Sequence, residues 1–278
     1  MTRPERATWE WSAVVPSLSD VDCVLLCAGS GKRLQPLTDS IPKALVPVAG
    51  RPIVDYHLEA WHAAGVRRAV LVTGYREEQL RQHVGKGESY GLEVEYVTQS
   101  EPRGSGDALL VGAGPLRAPW VLVGYCDVFF GRAPTVWSKL LADPRAKIVG
   151  ANVPNAGAYG RLMADADRPW PRLLAIHEKD RDPSPGLING GAYLLPRRVV
   201  EILRSVPLSP RGEIELTDAV TAYVQEGGEV RIVPTSPWID VGTPEQLETA
   251  TRLATLPPEP DRSQERSTAE ERVTDARS

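Results

Sequence analysis

A short glycine-rich segment, Gly29-Ser30-Gly31, is followed at once by two cations, Lys32 and Arg33, and further on by a third, Lys43. Glycines clustered after an apolar strand mark the place where open α/β sheets bind phosphates, because backbone N–H groups and a helix N-terminus point outward there. Two familiar phosphate loops are excluded by position. A dinucleotide fingerprint needs a third glycine where Leu34 stands, and a Walker loop needs glycine at Leu26 and a hydroxyl at Arg33. A planar guanidinium such as Arg33 suits phosphate oxygens, and Lys43 adds a compact second charge. Two carboxylates complete the set. Asp127 ends the apolar run Val121–Cys126, and Asp240 lies in Trp238-Ile239-Asp240-Val241-Gly242-Thr243-Pro244. Carboxylates at strand ends facing such a loop are the ligands a divalent cation takes when it serves phosphates. Taken singly, the cations read as exposed surface groups, and the aspartates as turn formers or helix caps.

The elements that must position these groups alternate regularly from Asp22 onward. Val24–Ala28 is a short apolar run ended by the glycine loop, which predicts a buried strand. Helical spacing over Pro52–Ala64 with Gly65 as C-cap is followed by a strand at Ala69–Thr73, a helix at Glu77–Val84, a strand at Glu93–Val97, a helix at Ser105–Gly112 and a strand at Trp120–Gly124. This order predicts an α/β fold with a mostly parallel central sheet flanked by helices. After about residue 146 the regularity changes: strands are expected at Lys147–Asn152, Leu173–His177, Gly191–Leu195 and Val230–Pro234, and helices at Val199–Ser205 and Glu213–Glu226. Residues 21–255 are therefore read as one domain, with 21–145 and 146–255 as its halves, the second extending the sheet and building a lid over its C-terminal edge. Residues 1–20, with Trp9 and Trp11, are read as a partly ordered arm, and residues 256–278 as a disordered charged tail.

A chain of 278 residues with 42% apolar and 24% charged residues supports a sizeable core, and with only two Phe that core falls to Val, Leu, Ile and Ala. The net charge of −4 argues against a general nucleic-acid surface, so an anionic substrate must meet a local cation cluster. No membrane span or secretory leader is apparent. Cys23, Cys27 and Cys126 sit in strand-like contexts without metal-site spacing and read as reduced, buried small hydrophobes, so a cytoplasmic protein is expected.

The stretch CAGSGKRLQPLTDSIPKALVPVAGRPIVDY resembles the signature of the sugar-1-phosphate nucleotidyltransferases: an apolar strand, then A-G-x-G-x-R-L-x-P-L-T, then P-K-x-L-x-P. The resemblance implies a Rossmann-like nucleotidyltransferase fold and a Mg²⁺-assisted reaction between an NTP and a sugar 1-phosphate. It implies that Ala28, Gly29 and Gly31 lie along the nucleotide, that Arg33 holds the departing phosphates, and that Lys43 bridges the α-phosphate and the sugar phosphate. Asp127 and Asp240 fall where this family places its metal ligands, although relatives usually have glycine where Cys126 stands. Gln99-Ser100-Glu101-Pro102-Arg103-Gly104-Ser105-Gly106-Asp107-Ala108 looks like the family's base-reading loop, which assigns Gln99, Gly104 and Ser105 to the base. Tyr159-Gly160-Arg161-Leu162, Glu178-Lys179 and Asn189-Gly190-Gly191 resemble its sugar segments, which assigns Gly160, Glu178, Lys179, Asn189 and Gly191 to the sugar phosphate. Glu215-Leu216-Thr217-Asp218 resembles an E-x-T-D helix start, in which Thr217 or Asp218 also suits an N-cap, and His177 reads as structural or solvent-facing.

The implied reaction is an in-line displacement at the α-phosphorus, with alignment and charge neutralisation rather than a general base. The pattern around Gly104 and Glu178 favours UTP, and the W-x-D-x-G-T segment resembles thymidylyl- and guanylyltransferases, so dTTP, GTP and CTP stand as alternatives. A non-catalytic sensor would not need both aspartates. A glycosyltransferase on a similar sheet would carry Asp-x-Asp, where this chain has Asp127-Val128-Phe129. No hexapeptide repeat follows, so an appended acyltransferase is not expected, and a homo-oligomer is left open.

Overall fold

In the computed structural model, which describes residues 18–132, 135–165, 170–178 and 181–256, alternating side chains of one sheet feed two separate cores. Strand β1 (Val21–Leu26) sends Cys23 and Leu25 to one face and Val24 to the other, and the later strands Arg68–Thr73 and Trp120–Tyr125 repeat the alternation with Leu71 against Val72 and Leu122 against Val123. Such strands, buried on both sides, read as continuous apolar runs.

After β1 the chain makes three short 3₁₀ turns (Lys32–Leu34, Leu37–Asp39, Lys43–Leu45) and the small ladder β2 (Pro47–Val48) with β3 (Arg51–Pro52). No α-helix follows the glycine loop directly. Pro36, Pro42 and Pro47 lack the N–H that a continuous helix needs, which replaces the expected strand–loop–helix entry by turns. Then come α1 (Ile53–Ala63), β4 (Arg68–Thr73), α2 (Glu77–Val84), β5 (Glu93–Thr98), α3 (Ser105–Gly112), β6 (Trp120–Tyr125), β7 (Val128–Phe129) and α4 (Val136–Leu141). Helices α1, α2 and α4 cover the first face and α3 the second.

The second half continues the same sheet with β8 (Ala146–Val153), β9 (Gly160–Asp165), β10 (Arg172–Glu178), β11 (Gly186–Pro196), α5 (Arg198–Leu203), α6 (Leu216–Gln225), β12 (Val230–Pro234), β13 (Ile239–Asp240) and α7 (Pro244–Thr255). The main sheet has nine strands in the order β5-β4-β1-β6-β11-β8-β12-β10-β9. The expectation of a mostly parallel sheet describes β5-β4-β1-β6, where every pairing is parallel. In the second half only β12–β8 is parallel, while β11 pairs antiparallel with both β6 and β8, and β10 with both β12 and β9. Helical crossovers force parallel neighbours; β9, β10 and β11 follow one another without a helix between them and reverse direction instead.

Other boundaries shift slightly. Helix α6 begins at Leu216 rather than Glu213, and its N-cap is Glu215, not Thr217 or Asp218. Strand β9 occupies the segment read as a sugar motif, and His177 is exposed. Of the arm expected over residues 1–20, residues 1–17 lie outside the described residues and Leu18–Asp20 form a 3₁₀ turn, and of the tail expected over 256–278, residues 257–278 lie outside them. Among those described, no helix is long and apolar enough to cross a membrane, and all three cysteines are free and buried.

Candidate functional site

The two aspartates meet through a ladder of only two residues per strand. Strand β7 pairs antiparallel with β13, setting Asp240 opposite Val128 and Ile239 opposite Phe129. The Val241 N–H then donates to the Asp127 carbonyl at 2.8 Å. A third apolar cluster anchors this ladder: Leu34 and Val46 from the signature loop join Phe129, Val241 and, from α7, Ala250. The loop, both aspartates and the last helix are thereby fixed to one another. Cys126 fits its position because its side chain enters the core beneath β1, beside Cys27, while its N–H donates to the Leu26 carbonyl at 3.2 Å.

Both carboxylates converge on Lys43, whose Nζ lies 2.5 Å from Asp127 Oδ2 and 3.8 Å from Asp240 Oδ1. Arg33 reaches Asp240 from the solvent side, with Nη2 at 3.7 Å from Oδ2. Burial opposes the charge on Lys43, but the Asp127 and Asp240 carboxylates outweigh it and raise its pKa. Asp127 is lowered, because Lys43 more than offsets its burial. Asp240 is raised by burial and then by the Asp127 charge. One buried ammonium is therefore shared between two carboxylates, and the exposed Arg33 is the second cation of the centre.

Gly31 builds the loop that delivers Lys43. It sits at φ 66°, and a Cβ there would lie 2.9 Å from Thr38 Cγ2 and 3.3 Å from the Lys43 side chain. Thr38 Oγ1 donates to its carbonyl at 2.8 Å. Gly29 differs: a Cβ there meets no protein atom within 4 Å, and the residue lines a cavity.

Two cavities flank Asp127. The smaller, about 230 Å³, is lined by Ala28, Gly29, Lys43, Gln99, Gly104 and Ser105, among others. The larger, about 500 Å³, takes Gly160, Glu178, Asn189 and Gly191 from the second half, with Arg33 and Asp240 also in its lining. Ser105, Tyr125, Asp127 and Glu213 line both, so the two cavities adjoin. Of the residues singled out in the sequence, Gly31 lines neither, and Lys179 lies outside the described residues.

Sequence reasoning missed several groups in the larger cavity. Arg211 gathers three carboxylates: its Nη2 pairs with Glu215 and lies 3.9 Å from Glu178 Oε2, while Nε is 3.3 Å from Glu213 Oε2. Burial, followed by the hydrogen bond with Glu213, pushes the Glu215 carboxyl up to about 7 despite Arg211. Tyr159 and Trp238 stand edge to face at 5.3 Å in the cavity wall, and Trp238 Nε1 donates to the Gly190 carbonyl at 3.0 Å. The one available signal was the polar run Arg211-Gly212-Glu213 directly before a helix, which composition reads as an ordinary loop.

The site and sheet together define a nucleotidyltransferase fold. The crystal structure of UDP-glucose pyrophosphorylase complexed with UDP-glucose superposes with a TM-score of 0.73 at 21% identity, over 83% of this chain and 97% of that one. The sequence profile of the nucleotidyl transferase family matches residues 22–255. The chain belongs to that family. It is 34% identical over 238 residues to a mannose-1-phosphate guanylyltransferase of Mycobacterium tuberculosis, covering 82% of this chain and 62% of the relative. It is 32% identical over 232 residues to a glucose-1-phosphate thymidylyltransferase of Mycolicibacterium smegmatis, covering 81% and 78%. A bifunctional GlmU protein of Methanococcus aeolicus is matched over 53% of its length, so the chain spans between about half and three quarters of these relatives.

Proposed function

We propose that the protein transfers a nucleotidyl group from an NTP to a sugar 1-phosphate. The observation that carries this reading is the meeting of two cavities at Asp127, with Lys43 opening on one and Arg33 with Asp240 on the other. An NTP in the smaller cavity sets its base against Gln99, Gly104 and Ser105 and its α-phosphate beside Lys43. A sugar 1-phosphate in the larger cavity sets its hydroxyls against Glu178, Asn189 and the Gly160 and Gly191 backbone.

A phosphate oxygen of the sugar attacks the α-phosphorus, a new P–O bond forms, and the bond to pyrophosphate breaks. The nucleophile is already anionic, so no side chain removes a proton. Lys43 has three donors, and the carboxylates leave it free to bond a phosphate oxygen between the two substrates. Arg33, with its side chain 65% exposed at the cavity mouth, holds the departing pyrophosphate. Asp127 and Asp240 fit Mg²⁺: they are hard oxygen donors brought together at the junction of the two cavities, and Mg²⁺ is commonly held by one or two carboxylates plus substrate phosphates. When bound there, the ion supplies charge neutralisation to the phosphates. Among the described residues no cluster of three or more His, Cys, Asp or Glu forms a self-sufficient metal site, which fits a metal completed by substrate. UTP is the favoured donor, and a reducing cytoplasm suits the three free cysteines.

The test is pyrophosphate release from UTP, dTTP, GTP, CTP and ATP, each against glucose, mannose and N-acetylglucosamine 1-phosphates with Mg²⁺. One pair is expected to turn over, with UTP leading. Nucleotide binding without release for every pair would replace this reading with a sensor.

A further inference from the structure

Asp107 has no part in the reaction described above, yet it touches the residue assigned to the base. Gln99 is buried, at 7% exposure, and its Nε2 donates to Asp107 Oδ2 at 2.6 Å and to the Gly104 carbonyl at 3.2 Å. The reversed amide would bring its oxygen against a carboxylate oxygen and a carbonyl oxygen at those same distances, two contacts between acceptors. The network therefore dictates the orientation. Gln99 Oε1 is left without a hydrogen-bond partner among the described residues, on a side chain that lines the smaller cavity. An amide carbonyl that opens only on this cavity takes its donor from whatever occupies the space.

The frame holding Asp107 is rigid. It lies in the first turn of α3, where Ala108 N–H donates to the Gly104 carbonyl at 3.1 Å and Gly106 N–H to the Ile214 carbonyl at 2.8 Å. Ser105 Oγ accepts the Leu216 N–H at 3.2 Å. The Asp107 carboxylate consequently meets Gln99 in a fixed place.

We infer that Asp107 is a positioning residue for base selection: by holding the Gln99 carbonyl toward the cavity, it makes the site take bases with a ring N–H on the pairing edge. Uracil, thymine and guanine carry that N–H. Cytosine and adenine present a lone pair at the corresponding nitrogen, which would face Oε1 as acceptor against acceptor. The inference rests on the reading of the smaller cavity as the nucleotide site.

Calorimetric titration of the unaltered chain with the Mg²⁺ complexes of UTP, dTTP, GTP, CTP and ATP tests it without needing the sugar. The tightest nucleotide is expected to be UTP, dTTP or GTP, and its ring-N-methylated form (3-methyl-UTP, 3-methyl-dTTP or 1-methyl-GTP) is expected to bind about tenfold more weakly. Equal affinity for the methylated nucleotide, or tightest binding of CTP or ATP, overturns the inference. Asp107→Asn, which can offer Gln99 either a donor or an acceptor, is expected to shrink the preference for UTP over CTP by about tenfold at an unchanged melting temperature. Asp107→Ala is the second variant, and the methylated nucleotide requires neither. If Gln99→Ala alters the preference and both Asp107 variants leave it intact, the role of Asp107 fails while the nucleotide site stands. If Gln99→Ala leaves every affinity unchanged, the nucleotide site itself is misplaced.

Discussion

The two halves of the sheet build their cavities in opposite ways. In the parallel half, a single strand–loop segment supplies Ala28, Gly29 and Lys43, and a single strand–helix loop supplies Gln99, Gly104 and Ser105. In the antiparallel half, the wall is collected from five separated stretches: Ala158–Gly160, Glu178, Asn189–Gly191, Arg211–Glu215 and Trp238–Asp240. Parallel strands end at one edge, so successive loops fall side by side and each carries a contiguous motif. Antiparallel strands alternate direction, and only every second connection reaches that edge, which leaves the rest to long excursions between α5 and α6. The first half thus presents its lining in contiguous motifs, and the second collects its wall piece by piece.

The strongest way to break that contrast is at the junction. Lys43→Ala removes the one buried cation between Asp127 and Asp240 and is expected to lower turnover by about 10³-fold or more, because charge neutralisation at the reacting phosphates is lost. Its melting temperature is expected to fall, since Asp127 and Asp240 lose the buried cation that holds their charge. Turnover within a few fold of the parent would mean that the junction is not where reaction occurs.

A smaller effect separates the halves themselves. Arg211→Ala leaves Glu178, Glu213 and Glu215 without their shared cation and is expected to raise KM for the sugar 1-phosphate by about tenfold to a hundredfold. KM for the NTP should change little. Equal changes in both constants would show that the halves act as one surface, a result made conceivable by the Ile214 N–H bond to the Arg103 carbonyl at 2.7 Å.

The same contrast explains what the sequence could disclose. Residues 24–48 bring glycines, cations and prolines together in one short stretch, so the order of apolar run, turn and cation marks a candidate site before any fold is known. The first-half strands are legible because burial on both faces makes them uninterrupted apolar runs. The ladder that joins Asp127 to Asp240 is not, since two residues per strand produce no period for a pattern to detect. Arg211 and Glu213 are hidden for a different reason: their carboxylate–guanidinium contacts link α6's entry to β10, and local composition reports only a polar turn. The reading of a mostly parallel sheet carried the rule of helical crossovers into a region where β9, β10 and β11 have none.

The finest probe of the second half is the proton on Glu215. In the unfolded chain this group titrates near 4.5, and burial with Glu213 beside it moves it to about 7 in the fold. Between those values the unfolded chain has released the proton that the folded chain still holds, so stability falls as pH rises from about 4.5 to about 7 and levels off above. Glu215→Gln keeps the shape and cannot ionise, so the variant should lose this part of the decline. Because Glu213 and Arg211 share the titration, the difference between parent and variant is expected to be on the order of 1 kcal/mol across the window. Urea unfolding at pH 5, 6, 7 and 8 measures it. Parallel curves for parent and variant would place Glu215 in water rather than in a packed wall, and the carboxylate cluster around Arg211 would then be a solvated surface feature.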